Sequence, residues 1–247
     1  MKKVETILVG GMMQSGSHLL FNLIRILLEE LGCGVEIRTS GASTGYVKKA
    51  TNNNRTFILD REHFFNESLY GDPFSMRDEL DYCVLSYRDP RDTASSWSLK
   101  RSITESALII NRALINTQVF ESYNCLDQNN LLRWRYEDYK KALMEEKKDN
   151  LYVLFSKLVS FLSLQNECKS KQPFNLLIDK IVFEAETEID KATSHTSSHW
   201  KKTNLVPKVR SFNKGKIGGF RDHLSPELID AIESKCEGWL KEHGYME

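Results

Sequence analysis

The sequence contains no C-x-x-C pair, and its five cysteines (Cys33, Cys83, Cys125, Cys168 and Cys236) are odd in number and widely separated. That spacing argues against a disulfide framework and favours reduced thiols, as expected of a cytoplasmic protein. Neither sign of charge is in excess: 34 Lys and Arg stand against 34 Asp and Glu. A whole-molecule field that recruits nucleic acid is therefore not expected. No run approaches the ~18 apolar residues that cross a membrane. The N-terminal MKKVETILVGGMM has two lysines before a short apolar run, but Glu5 and Thr6 interrupt it. It reads as a buried strand and not as a signal peptide. Internal repeats and low-complexity segments are also lacking. What is present is 247 residues, 40% hydrophobic and 10% aromatic. That is enough for a sizeable core in a single domain spanning residues 1–247.

Hydrophobic patterning sets the fold class. Thr6–Val9 is a short β-prone run ending at two glycines. His18–Leu31 then carries nine apolar residues in fourteen, with Asn22, Arg25 and Glu29 at spacings of three and four. This predicts a buried helix with one narrow wet stripe, stopped by Gly32. Strand, glycine loop and buried helix open a doubly wound α/β fold, with a central, mainly parallel sheet flanked by helices. Further strands are predicted at Val35–Arg38, Thr56–Asp60, Tyr82–Tyr87 and Leu131–Tyr136. Helices are predicted from Asp89-Pro90, over 103–123, up to about Glu146, over 151–164, and from Ser225-Pro226 to Gly244. Asp89 is a good N-cap, Pro90 suits the first helical position, and Asp92 favours the positive end of the helix dipole. Residues 39–55, rich in Ser, Thr, Gly and Asn, read as an irregular loop. From Lys191 to Arg221 there are eight Lys or Arg residues and no Asp or Glu. With Gly215, Gly218 and Gly219, that segment is either a phosphate-binding lid or a solvated surface loop.

The loop GGMMQSGSH, Gly10–His18, carries a more telling omission. Gly11, four residues and Gly16 reproduce the spacing of a Walker A motif, but Ser17 stands where its lysine belongs. Backbone N–H groups at a helix start still attract an anion, so Gln14, Ser15, Gly16, Ser17 and His18 can form a site without that lysine. A tight turn with no ligand is the other reading. The second candidate is YRDPRDTASSW, Tyr87–Trp97. Arg88 follows a strand at the end where open α/β sheets bind ligands, and Ser96 lies two helical turns beyond the cap. Together they can hold a second phosphate. Alternatively, Arg88 pairs with an aspartate at the helix start.

With these elements in this order, the chain resembles the sulfotransferases that use 3′-phosphoadenosine 5′-phosphosulfate (PAPS). Met13–Ser17 (MQSGS) is similar to that family's P-[KR]-S-G-[ST] loop, which wraps the 5′-phosphosulfate. Arg88 and Ser96 match its Arg and Ser, eight positions apart, on the 3′-phosphate. Tyr136-Glu137-Asp138 matches its Y-E-D, which implies Tyr136 near the adenine. NKGKIGGF (Asn213–Phe220) resembles its R-K-G-x-x-G-[DN]-W loop, which adds Asn213, Lys214 and Gly215 to the nucleotide site. The resemblance implies a P-loop-like sulfotransferase fold and transfer of a sulfuryl group to a hydroxyl or nitrogen of a small-molecule acceptor, with no metal. It also implies a histidine base. His63, in LDREHFF, is the only histidine between the first two elements, and Arg61 precedes it by two. Such a base contributes roughly 10²–10⁴ in rate.

Gln14 departs from the pattern, because the family places a Lys or Arg there. A neutral amide donates hydrogen bonds but no charge, and losing one charged contact at a developing anion costs about 3–4 kcal/mol. Arg61, His18 or Lys214 is expected to compensate. His195 and His199 (HTSSH) lack the H-E-x-x-H signature and a third ligand, so they read as acceptor-site lining and not as a metal site. Residues 39–55 and 64–80 are expected acceptor walls. Two other classes remain open: a Walker-type kinase or NTPase, which Ser17 argues against, and a non-catalytic nucleotide-binding module, which Gln14 favours.

Overall fold

The computed structural model describes residues 3–39, 42–51, 54–61, 80–144, 148–169, 173–193 and 215–247. His63, His195, His199, Asn213, Lys214 and the expected acceptor wall over 64–79 fall outside these residues.

β1 (Lys3–Gly11) is flanked by β4 (Arg55–Arg61) and β5 (Tyr82–Tyr87), both parallel to it. With β2 (Gly34–Thr39), β3 (Ala42–Lys48) and β6 (Leu131–Arg135), the sheet runs β3-β2-β4-β1-β5-β6. Only β3 is antiparallel among the described strands. The region read as an irregular loop over 39–55 therefore contains an edge strand. Its polar composition hid it, and its order comes from pairing with β2 rather than from burial: Val47 is 63% exposed.

The chain leaves β1 toward β2 on one side and leaves β5 toward β6 on the other. The carboxyl ends of β1 and β5 therefore form the topological switch point, where open sheets hold ligands. Side chains alternate along these strands. Ile7, Val9 and Val84 face one core, and Leu8, Cys83 and Leu85 the other. The first core packs α1 (Ser17–Glu30), α4 (Tyr136–Met144), α5 (Lys148–Phe161) and α7 (Phe174–Thr193) on one face. The second packs α2 (Pro90–Arg101), α3 (Ser106–Ser122) and α8 (Pro226–Glu242) on the other. The short α6 (Gln165–Lys169) links α5 to α7. Asp89 and Ser225 cap α2 and α8 through Arg91 N–H and Leu228 N–H, as the sequence predicts. Tyr136 opens α4 instead of ending β6, and Lys191 extends α7 instead of starting a loop.

The stripe expected to be wet on α1 is in fact buried. Asn22 is 0% and Arg25 4% exposed. Arg25 bonds Glu29 at 3.1 Å and Glu188 of α7 at 2.6 Å. Glu29 also accepts from Tyr46 at 2.5 Å and Lys48 at 3.0 Å. A charged stripe at helical spacing fits a neighbouring helix as well as it fits water. Burial pushes the Glu29 carboxyl up, but Arg25, Tyr46 and Lys48 outweigh it and hold its pKa below the usual range. The stability this contributes is present above the unfolded carboxylate pKa of ~4.3 and is lost as pH falls through the lower folded value. Arg25→Ala should cost about 2 kcal/mol by removing the buried cation that Glu29 and Glu188 share, while Tyr46 and Lys48 remain on Glu29. Urea unfolding at pH 7 and pH 4 checks this: the variant's deficit should shrink at the lower pH.

Candidate functional site

The loop after β1 is bolted to β5 before any ligand is considered. Met12 N–H donates to the Ser86 carbonyl at 3.2 Å. Ser15 Oγ donates to the Met12 carbonyl at 2.7 Å and lies 3.1 Å from Ser86 Oγ, which in turn donates to the Ser15 carbonyl at 2.8 Å. Ser15 is 0% exposed, so its hydroxyl shapes the loop from within. From the other side Asn116 of α3 clasps Met13. Its Oδ1 accepts Met13 N–H at 3.1 Å, and its Nδ2 donates to the Met13 carbonyl at 3.3 Å and to Thr93 Oγ1 at 2.8 Å. A lone asparagine in a helical stretch carries no readable pattern, and sequence reasoning missed it.

Between these anchors the backbone bends sharply. Gln14 has φ 67° and Gly16, which caps α1, has φ 84°. An α-helix leaves the N–H groups of its first turn without intrahelical acceptors, and the dipole adds positive potential there. Ser17 is buried and Gln14 half-buried. At the far end of the loop His18 Nε2 meets Arg61 Nη1, from the end of β4. Burial holds the Arg61 pKa below the usual arginine value, against the pull of Asp60.

Three separated pieces of sequence converge on the ring of a fourth, Tyr136. A Cβ on Gly16 would stand 2.4 Å from the Tyr136 ring, and one on Gly215 would stand 1.9 Å from the Tyr136 hydroxyl oxygen. The Arg88 guanidinium carbon lies 4.8 Å from the same ring's centroid. Glycine is required at both positions to let the tyrosine approach. Burial raises the Tyr136 pKa, with Arg88 opposing, so the phenol stays protonated at neutral pH.

Arg88 is 3% exposed. Its Nη2 donates to the Lys216 carbonyl at 2.7 Å and sits 3.2 Å from Asp92 Oδ2, while its Nε has no hydrogen-bond partner. Both expected roles are therefore compatible with one geometry: a pair with an aspartate, and a buried donor left over. Asp92 does more than favour a dipole. Its two oxygens accept Gly218 N–H at 2.9 Å and Phe220 N–H at 3.0 Å, and so fix the late glycine loop over the start of α2. Ser96 is half-buried, and the neighbouring Ser95 Oγ is buried without a partner. Glu137 braces the assembly. It accepts Asp89 N–H and the Tyr245 hydroxyl, each at 2.9 Å. Burial raises its pKa despite those bonds.

Among the described residues no group of three or more His, Cys, Asp or Glu could hold a metal ion. None of their helices is long and apolar enough to cross a membrane. A cavity of about 540 Å³ lined by Ser156, Cys168, Lys169 and Phe174 includes no residue of the loop.

No protein-family model matches the chain, and no curated protein matches it. Solved structures do. Mouse sulfotransferase SULT7A1 complexed with PAP has a TM-score of 0.61 at 17% identity, over 99% of this chain and 89% of that one. Retinol dehydratase in a complex with retinol and PAP has a TM-score of 0.56 at 16% identity, over 96% and 81%. The shared feature is the fold, a mainly parallel central sheet flanked by helices.

Replacing Asp92 by Ala strands the Gly218 and Phe220 N–H groups and leaves Arg88 without its carboxylate. The expected cost is about 3–5 kcal/mol. Chemical denaturation measures it, and Arg88→Met in the same background should recover part of the loss.

Proposed function

We propose that this chain transfers a sulfuryl group from PAPS to a hydroxyl or nitrogen of a small-molecule acceptor. The observation that supports this most directly is the meeting of Gly16, Arg88 and Gly215 around Tyr136 at the β1–β5 switch point. These residues come from the four sequence elements that resemble the PAPS-dependent family. The mouse enzyme and retinol dehydratase of similar fold are both complexed with PAP, the 3′,5′-bisphosphate that PAPS leaves behind.

In this reading the first-turn N–H groups of α1 and the loop Gln14–Ser17, with His18, hold the 5′-phosphosulfate. Arg88, through its spare Nε, takes the 3′-phosphate together with Ser96, Gly215 and, beyond the described residues, Asn213 and Lys214. Tyr136 lies against the adenine. The acceptor oxygen or nitrogen attacks sulfur in line. A new bond to sulfur forms as the bond from sulfur to the bridging phosphate oxygen breaks, and the acceptor's proton passes to His63. The bisphosphate departs with the bonding pair. Gln14 donates hydrogen bonds to the leaving oxygen, and Arg61, seated on His18, adds positive charge at the helix end of the loop. The whole chain 1–247 acts as one catalytic domain, in the cytoplasm.

PAP at a hundred times its dissociation constant should raise the thermal midpoint by about 5–10 °C without Mg²⁺, whereas ATP with Mg²⁺ should not. The reverse ranking points to a Walker-type NTPase and sinks the reading. Stabilisation by PAP with no turnover of labelled PAPS across an acceptor panel leaves a binding module. Arg61→Ala and His18→Ala should each slow turnover by roughly 10²-fold if they supply charge to the loop. Unchanged rates in both variants rule out that role.

A further inference from the structure

The cavity of about 540 Å³ stands apart from the nucleotide loop, and its volume falls within the roughly 300–1,000 Å³ typical of small-molecule sites. Its place in the fold follows from Arg55. At the start of β4, Arg55 donates to Glu5 of β1 at 2.8 and 3.0 Å, to the Leu162 and Ser163 carbonyls after α5 at 3.2 and 2.7 Å, and to Glu167 of α6 at 3.1 Å. The end of α5 and the whole of α6 are therefore tied to the amino end of the sheet. The loop Gln14–Ser17 follows the carboxyl end of β1, nine residues away, or about 25–30 Å at ~3.3 Å per residue.

Two kinds of surface meet in the cavity. Val159 is 4% exposed, and Cys168 and Phe174 are half-buried, so the floor is apolar. Burial raises the Cys168 thiol to about 11, which keeps it uncharged at neutral pH and makes it part of that floor. Ser156 and Ser160, one turn apart on α5, and Lys169 of α6 form an exposed rim. The described lining includes this one cation and no Asp or Glu. Glu167, the carboxylate nearest in sequence, is already engaged by Arg55, and Lys169 forms no ion pair among the described residues.

We propose that this cavity binds an amphiphilic carboxylate, with its aliphatic body on Val159, Cys168 and Phe174 and its head at Lys169. The inference does not depend on the sulfotransferase reading. A neutral apolar molecule leaves the lysine unused, and a small polar anion leaves the apolar floor in water. A molecule with both parts meets both surfaces, and the two serine hydroxyls offer its head further donors. Because Arg55 ties α6 and the end of α5 to β1 and β4, a ligand held here stabilises the folded sheet from the end opposite the nucleotide loop.

The test is titration calorimetry on the full chain with two probes of equal tail and opposite head, decanoate and decyltrimethylammonium. Decanoate should bind saturably at one site per chain, about tenfold tighter than the cation, as expected where one exposed charge attracts one head and repels the other. Lys169→Glu should reverse that preference. Ser160→Trp, which places a ring in the cavity from an exposed position, should weaken decanoate by about tenfold or more. Should that variant fail to fold, Ser156→Trp, one turn earlier on the same face, takes its place. Decanoate binding that survives the tryptophan lies elsewhere, the acceptor site included, and overturns the proposal. Absence of saturable decanoate binding by the native chain also overturns it. A head preference that Lys169→Glu leaves unchanged overturns the assignment of the carboxylate to Lys169.

Discussion

The Asp92 carboxylate is the contact on which the site's architecture depends. It is 0% exposed and accepts two backbone N–H groups from residues more than a hundred positions away, while Arg88 stands against it. A buried carboxylate is tolerated only when its lone pairs and charge are both met. Here they are met by the late glycine loop and by the arginine that the phosphate reading needs. Arg88 is consequently oriented by a partner and by the Lys216 carbonyl, and still keeps one donor uncommitted. A long side chain held this way loses little further freedom on binding an anion.

The loop after β1 is built on the same logic of prior commitment. Ser15 and Ser86 exchange bonds across the switch point, and Asn116 holds the opposite side. A Walker loop carries its lysine within the turn. This chain has Ser17 at that position, and an arginine, Arg61, meets His18 at one end of the turn. An oxygen that gains charge as a bond breaks is better served by fixed dipoles and cations than by mobile ones. Gln14, at φ 67°, is held in a conformation few non-glycine residues occupy.

Much of this was legible in advance, for reasons that differ from element to element. The apolar runs of β1, β5 and α1 are long and regular enough to show their periods, and Asp89-Pro90 and Ser225-Pro226 announce their helices. β3 was not legible because an edge strand of small polar residues has the composition of a loop. The stripe of Asn22, Arg25 and Glu29 was visible but misread, since spacing reports which residues share a face and not what the face meets. Gly16, Arg88, Tyr136 and Gly215 were recognisable through their order along the chain, yet only the fold shows that one ring touches the other three. Asn116, and the hold of Asp92 on the late glycine loop, escaped because the groups bonded there are backbone N–H and C=O, which leave no trace in residue type.

The C-terminal tail gives the molecule a direction in time. Tyr245 gives its hydroxyl to Glu137 and its carbonyl to Arg91, and its ring lies 4.2 Å from the Arg135 guanidinium carbon. During synthesis Arg88, Asp92 and Glu137 emerge long before residues 215–245 exist to satisfy them. Until then Arg88 and Asp92 have each other but lack the Lys216 carbonyl and the Gly218 and Phe220 N–H groups, and contacts of such wide sequence separation are slow to close. The cluster around Tyr136, Arg88 and Asp92 therefore cannot be completed until residues 215–220 have been made. A ribosome-bound chain lacking its final helix can hold a sheet without yet holding a site.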